Sequence, residues 1–563
     1  MFWIILLCVC VAQAQDGPSV NTTQGVVVGT LVNGTYLAFH GIPYAGSTSG
    51  ENRFKAPTPA PKFPGVFHAI ENNVVCAHST PRGLVGIEDC LRLSIFTKNV
   101  TTPKPVVVFI QGEDFATWNS KPYSFTKLVQ SDLLIVTLNY RLSIFGFLCL
   151  GVADAPGNAG LRDVVQGLKW IKENIAGFGG DPNNVVLLGH GSGAAMVDLI
   201  TLSPHATGLV HKAIALSGSG LAPWAVQYDP VGYANIVGNK LGYGGKDRKD
   251  LAKLLVKTEL NVLEGTIRNS IFTNNTVLFG PCVENIKLNP NDTFLTDAPI
   301  NLLRSGNYID IPYIGGFTNR EGTMRGEQAI FRDWLDKMQA KFSNFIPVDL
   351  KFDSAKNKID IINSIREFYF TRKDINMKTI QNFLDYEGDT TILVPVIRNV
   401  LERSLTSKSE VRLFELAYNG TYDSDWAYRQ VPLHGVKHGG ILNYLLDFDL
   451  KQNDAIVTET LIKRFAAFAY TGFPAPTNET LTTWPPLEKN IFYMLYLSGE
   501  EVAYNVSLFK EEMRGREVNE KMLNFWDPLY EKYYVPPKGI SSAGQLLSFT
   551  IMILCAQIIH WLL

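Results

Sequence analysis

Val185-Val186-Leu187-Leu188-Gly189-His190-Gly191-Ser192-Gly193-Ala194-Ala195 joins an apolar run to a glycine-rich turn and then to small, helix-compatible residues. A strand, a sharp Gly-x-Ser-x-Gly turn and a helix are the parts that hold a serine hydroxyl exposed at a strand tip, ready to attack a carbonyl carbon. Gly189 and Gly193 occupy the outer turn positions, but the centre between them is Gly191, which carries no nucleophile. Ser192 comes one residue late, and taking it as the centre makes the flanks His190 and Ala194. The pattern predicts the scaffold of a covalent hydrolase without its covalent chemistry.

Outward from this turn, residues 105–110 and 133–138 are continuous apolar runs of the kind that form strands buried on both faces. Residues 161–175 place Leu161, Val164, Val165, Leu168 and Ile171 on one helical face and break at Gly177. Residues 185–188 form the next strand, 194–202 the helix after the turn and 213–216 a further strand. Residues 26–37 alternate around Asn33-Gly34, a hairpin signal. Strands alternating with helices predict a doubly wound α/β sheet. No repeat or Gly/Ser linker divides the 563 residues, and a net charge of -2 offers no electrostatic footprint for nucleic acid.

The ends predict export. Residues 1–14 combine an apolar core with Ala12-Gln13-Ala14, the pattern of a cleaved signal peptide. Asn-x-Ser/Thr sequons at Asn21, Asn33, Asn99, Asn274, Asn291, Asn419, Asn478 and Asn505 fit a glycosylated extracellular surface. In that oxidising setting, Cys76 and Cys90 flank a short polar segment and are a plausible disulfide, whereas Cys149 and Cys282 sit in apolar contexts and read as buried thiols. Residues 546–563 are uncharged and apolar, and small residues precede them from Gly539. Three readings stay open: a GPI signal, a retained transmembrane anchor, or a core helix. The expected division is a signal peptide at 1–14, one domain at 15–538 and a C-terminal GPI signal or membrane anchor at 539–563.

Further segments carry a resemblance. Phe39-His40-Gly41-Ile42-Pro43-Tyr44-Ala45, Arg53-Phe54, Glu88-Asp89-Cys90-Leu91, Asn139-Tyr140-Arg141, Ala155-Pro156-Gly157-Asn158, Ser217-Gly218-Ser219, Asn319-Arg320-Glu321-Gly322 and Gly435-Val436-Lys437-His438 occur in this order. Together they resemble the carboxylesterase/cholinesterase family over nearly the whole mature chain. The resemblance implies an α/β-hydrolase fold, a large and mostly parallel central sheet flanked by helices. It puts the family's acid on Glu321, its base on His438, its nucleophile on Gly191 and its disulfide on Cys76 and Cys90. The oxyanion loop, His-Gly-Gly-Gly in the family, falls on Gln111-Gly112-Glu113-Asp114, where two carboxylates are expected to oppose a developing anion.

With the triad reduced to Gly191, Glu321 and His438, the chain is expected not to be an enzyme. It resembles the family members that keep the fold and lose the triad, such as neuroligins, neurotactin and glutactin. That implies a cell-surface glycoprotein binding an extracellular protein, in adhesion or signalling. The alternatives are a carrier of a lipophilic ligand, with Phe115, Trp118, Trp224 and Phe317 as candidate gorge residues, or a weak carboxylic ester hydrolase acting through Ser192. No metal or cofactor is implied, and residues 511–530 resemble the helical region through which family members dimerise.

Overall fold

The apolar runs become the strands of one sheet in the computed structural model, which describes residues 17–541 except 72, 113, 118–122, 269–273, 419, 421–434, 447–451, 476–480, 490 and 504–505. In chain order these strands are β1 (Thr30–Val32), β2 (Tyr36–Pro43), β3 (Arg92–Thr97), β4 (Lys104–Ile110), β5 (Leu134–Leu138), β6 (Gly180–His190), β7 (Lys212–Leu216), β8 (Tyr313–Thr318), β9 (Val411–Leu416), β10 (Met494–Ala503) and β11 (Val506–Arg514). Their order across the 11-stranded sheet is β11-β10-β9-β8-β7-β6-β4-β5-β3-β2-β1. Pairing is parallel from β5 through β4 and β6 to β10, and antiparallel at both margins. Every residue of β4 and of β8 is buried, as strands covered by helices on both faces require.

The hairpin expected at Asn33-Gly34 joins β1 to β2. Thr35 N–H donates to the Val32 carbonyl, and Asn33 and Gly34 both have positive φ, which this residue pair supplies at little cost. Helix α1 (Ala159–Asn174) buries the predicted apolar stripe, and a 3₁₀ turn at Ile175–Phe178 carries the chain into β6. Helix α2 (Ser192–Thr201) leaves the tip of β6 and is buried at every residue. Later helices are α3 (Ile380–Gly388), α4 (Val394–Thr406), α5 (Gly440–Leu445) and α6 (Glu520–Tyr533), with a π-turn at Asp389–Leu393 linking α3 to α4. The expected helical region at 511–530 is partly strand, because β11 runs on to Arg514 before α6 begins.

Several motif residues tie loops together beneath the sheet. Arg141 donates to both carboxylate oxygens of Asp163 and to the Arg53 carbonyl, while Arg53 binds Glu88 and the carbonyls of Leu255, Val256 and Thr258. Arg141 and Asp163 are both buried, so removing one partner leaves an uncompensated charge at a cost of about 3–5 kcal/mol. Cys76 pairs with Cys90 as expected. Cys149 and Cys282, read above as thiols, are also a disulfide. Ile540 packs against that second bridge.

Asn21, Asn33 and Asn291 are exposed and Asn99 and Asn274 are half-buried; Asn419, Asn478 and Asn505 lie outside the described residues. So do the signal peptide and residues 542–563. Among the described residues, no helix is long and apolar enough to cross a membrane.

Candidate active site

The turn between β6 and α2 has the backbone that a strained elbow needs. Gly191 sits at φ 59° and ψ -124°, and its N–H donates to the Leu216 carbonyl of β7. Close approach explains the two outer glycines. A Cβ on Gly189 would lie 2.3 Å from the Gly193 carbonyl oxygen, and one on Gly193 would lie 2.1 Å from the Ile110 carbonyl oxygen. At Gly191 itself the contacts are ordinary: a Cβ would stand 3.5 Å from His438 Nε2 and 3.6 Å from the Gly112 carbonyl oxygen.

The structure brings together the two remaining family positions. His438 Nδ1 donates to Glu321 Oε2 at 2.6 Å, and Glu321 Oε1 accepts from the Thr318 N–H at 2.7 Å. Glu321 opens the 3₁₀ turn after β8, and His438 lies just before α5, where Thr323 Oγ1 accepts its backbone N–H. A carboxylate on Nδ1 fixes the tautomer in which Nε2 faces Gly191 as a proton acceptor. Ser192 is no substitute nucleophile. Its residue is buried and its Oγ accepts a hydrogen bond from the Phe115 N–H.

The oxyanion loop departs from expectation in one respect. Gly112 is pressed onto the elbow, where a Cβ would lie 2.0 Å from Gly193 N and 2.8 Å from Ser192 N. Gln111 is buried, and its carbonyl accepts the Tyr140 hydroxyl. Asp114 was expected to face the developing anion. Instead its side chain is half exposed and pairs with Arg325 at 3.8 Å, drawn aside by a positive φ of 54°. Glu113 lies outside the described residues.

Two contributors escaped the sequence reading. His190 is fully buried, its ring centroid 4.7 Å from that of His438, and burial and then His438 push its pKa well below the usual imidazole value. Arg325, which reaches Asp114, also stands beside Glu387, a carboxyl that burial pushes up to about 8. Of the proposed gorge aromatics, Phe115, Trp224 and Phe317 are all buried in the main core, Phe115 against Phe147 and Trp224. Trp118 lies outside the described residues.

A sequence profile described as the carboxylesterase family matches residues 16–521. The chain belongs to that family. A carboxylic ester hydrolase of Bombus ignitus is 28% identical over 92% of this chain and 95% of its own length. The juvenile hormone esterase of Tribolium castaneum is 29% identical over 83% and 86% respectively. Among solved structures, the juvenile hormone esterase from Manduca sexta, with OTFP covalently attached, superposes with a TM-score of 0.80 at 25% identity, covering 91% of this chain and 99% of that one. The α/β-hydrolase fold is therefore established for this carboxylesterase-family chain.

These relatives overturn the expectation that the chain is not an enzyme. They are named as ester hydrolases along almost their whole length, and the matched structure is an esterase. Their names carry neither adhesion nor a neuroligin-like subtype. They favour instead the weak ester hydrolase given above as an alternative.

Proposed function

We propose that this protein is a slow carboxylic ester hydrolase in which water, rather than a serine, attacks the carbonyl. The observation that carries the reading is the 2.6 Å bond from His438 Nδ1 to Glu321 Oε2, with Nε2 only 3.5 Å from the place of a Gly191 Cβ. Its kinship with named ester hydrolases supports the substrate class.

A water seated where a serine hydroxyl would stand reaches both His438 Nε2 and the Gly112 carbonyl. As its oxygen bonds to the ester carbon, its proton passes to Nε2 and the carbonyl oxygen takes the negative charge. Glu321 stabilises the resulting imidazolium. Collapse breaks the bond to the alkoxide, which recovers the proton from Nε2, so acid and alcohol leave without an acyl-enzyme. The N–H of Ser192, first residue of α2, belongs to the unpaired set at a helix N-terminus and is suited to receive the oxyanion.

Magnitudes set the expected rate. Removing a nucleophilic serine costs about 10⁶-fold in kcat, and oxyanion donors plus binding retain about 10³- to 10⁴-fold over water. That remainder needs no base, and general-base catalysis by His438 adds about 10²- to 10⁴-fold, so turnover of short acyl esters above that level, falling at least about 10²-fold in His438→Ala, is the expected result. A wild-type rate equal to buffer, or an unchanged rate in His438→Ala, would overturn the proposal.

We also infer an extracellular setting, which the leader at 1–14, the sequons and two disulfides support. Attachment by a glycolipid at 539–563 rests on the sequence pattern of that tail.

A further inference from the structure

We infer that the surface groove beside Asn274 is the seat of that residue's own N-linked glycan, an inference that rests on the extracellular setting proposed above. The groove has a volume of about 660 Å³, and Asn274 lines it together with Ser343, Ile346, Lys351, Phe352 and Lys358. The Asn274-Asn275-Thr276 sequon therefore puts its acceptor residue on the groove wall. The loop that follows is fixed, because Gln227 Nε2 donates to the carbonyls of Val277 and Leu278, and Asn275 Nδ2 donates to Thr390 Oγ1 at 3.5 Å. The remaining wall is held as well. Lys351 N–H donates to the Tyr533 carbonyl at 2.9 Å, and the Phe352 ring centroid lies 5.3 Å from that of Tyr533 on α6.

This lining suits a neutral sugar. Ile346 and the half-buried Phe352 offer apolar surface to the C–H face of a pyranose ring, while Ser343, Lys351 and Lys358 offer hydrogen-bond donors to its hydroxyls. The volume falls in the range that holds a ligand of several rings. A free sugar would lose its translational freedom on binding, whereas one tethered at the wall meets the groove at a high effective concentration, so weak contacts suffice. Asn275 and Thr276 are buried, so the sugar is attached before this loop packs. In that transfer Asn274 Nδ2 bonds to C1 of the first sugar as the sugar leaves its lipid pyrophosphate carrier, and the amide gives up one proton. The groove then closes around a glycan already in place.

The test takes the full chain made in a eukaryotic secretory pathway and follows the release of each glycan from the native protein by peptide-N-glycosidase, read by peptide mass mapping. The glycan on Asn274 should leave at least about tenfold more slowly than those on the exposed Asn21, Asn33 and Asn291, since a seated sugar is released only from its unseated fraction. After denaturation all four should leave at one rate. Phe352→Ala removes the apolar wall and should restore most of the native rate at Asn274. Ser343→Trp fills the groove and should do the same, and it stands alone if Phe352→Ala does not fold by its thermal melt. Release at Asn274 as fast as at the exposed sites would overturn the inference. So would slow release that persists in either folded variant, because the half-buried Asn274 itself would then be its cause. An unmodified Asn274 beside modified Asn21, Asn33 and Asn291 would overturn this inference alone, whereas a chain without glycan at any sequon would remove the extracellular reading as well.

Discussion

Gly191 occupies a backbone conformation that side-chain-bearing residues adopt only under strain, with φ at 59°. Family enzymes pay that strain to expose a serine, and a residue in such a region costs about 1–3 kcal/mol. Gly191→Ser should therefore lower stability by about that amount, while the 3.5 Å separation from His438 Nε2 leaves the new side chain room. The variant should be labelled by organophosphates, which leave the wild type unmodified, and should gain at least about 10²-fold in ester hydrolysis. Thermal melts and intact-mass labelling check both parts; an unlabelled, unstrained variant would contradict this geometry. The glycine at the centre of the elbow was legible in the sequence, and the family resemblance paired Glu321 with His438, which the structure brings within hydrogen-bond distance. The use of Ser192 was not. Its hydroxyl turns to the Phe115 N–H, and that contact spans 77 residues.

At the scale of elements, the oxyanion loop and the α3 region show how distant partners alter a local reading. Asp114 looked hostile to an anion in the sequence; Arg325, on the 3₁₀ turn that Glu321 opens, draws it aside. The pair is long, at 3.8 Å, and its carboxylate is half exposed although Arg325 is buried, so solvent screens it to about 1 kcal/mol and Asp114→Asn should leave stability and ester hydrolysis nearly unchanged. Gly112→Ala is the contrast. Its Cβ would collide with the elbow backbone, so it should cost at least about 10²-fold in rate by displacing the donors at the N-terminus of α2. Comparable rates in the two variants would contradict this account of the loop. Glu387, on α3, has both carboxylate oxygens buried without a partner among the described residues. Burial raises its folded pKa from 4.5 to about 8 against the pull of Arg325. Across that window the folded chain keeps a proton that the unfolded chain has released, so stability falls as pH rises toward about 8. Glu387→Gln, neutral throughout, should flatten that fall in urea midpoints taken at about pH 5 and pH 8. An unchanged slope would show that Glu387 ionises freely.

For the whole molecule, the apolar runs, the Asn33-Gly34 hairpin and the strand–helix alternation were enough to place the sheet, because buried parallel strands and a two-sided helical cover leave few other arrangements. The second disulfide was hidden. Cys149 and Cys282 are 133 residues apart, and only the folded chain brings their Cα atoms to 6.6 Å. The reading of a scaffold emptied of chemistry is overturned by kinship, since relatives named as ester hydrolases match nearly the whole chain. The account stands on hydrolysis without an acyl-enzyme, and the direct test is intact-mass spectrometry of the protein during turnover of a short acyl ester, with product measured in the same sample. The prediction is steady release of acid and alcohol, at least about 10²-fold slower in His438→Ala, from protein whose mass stays unmodified. An acyl adduct on the chain, or no product above the buffer rate, would contradict it.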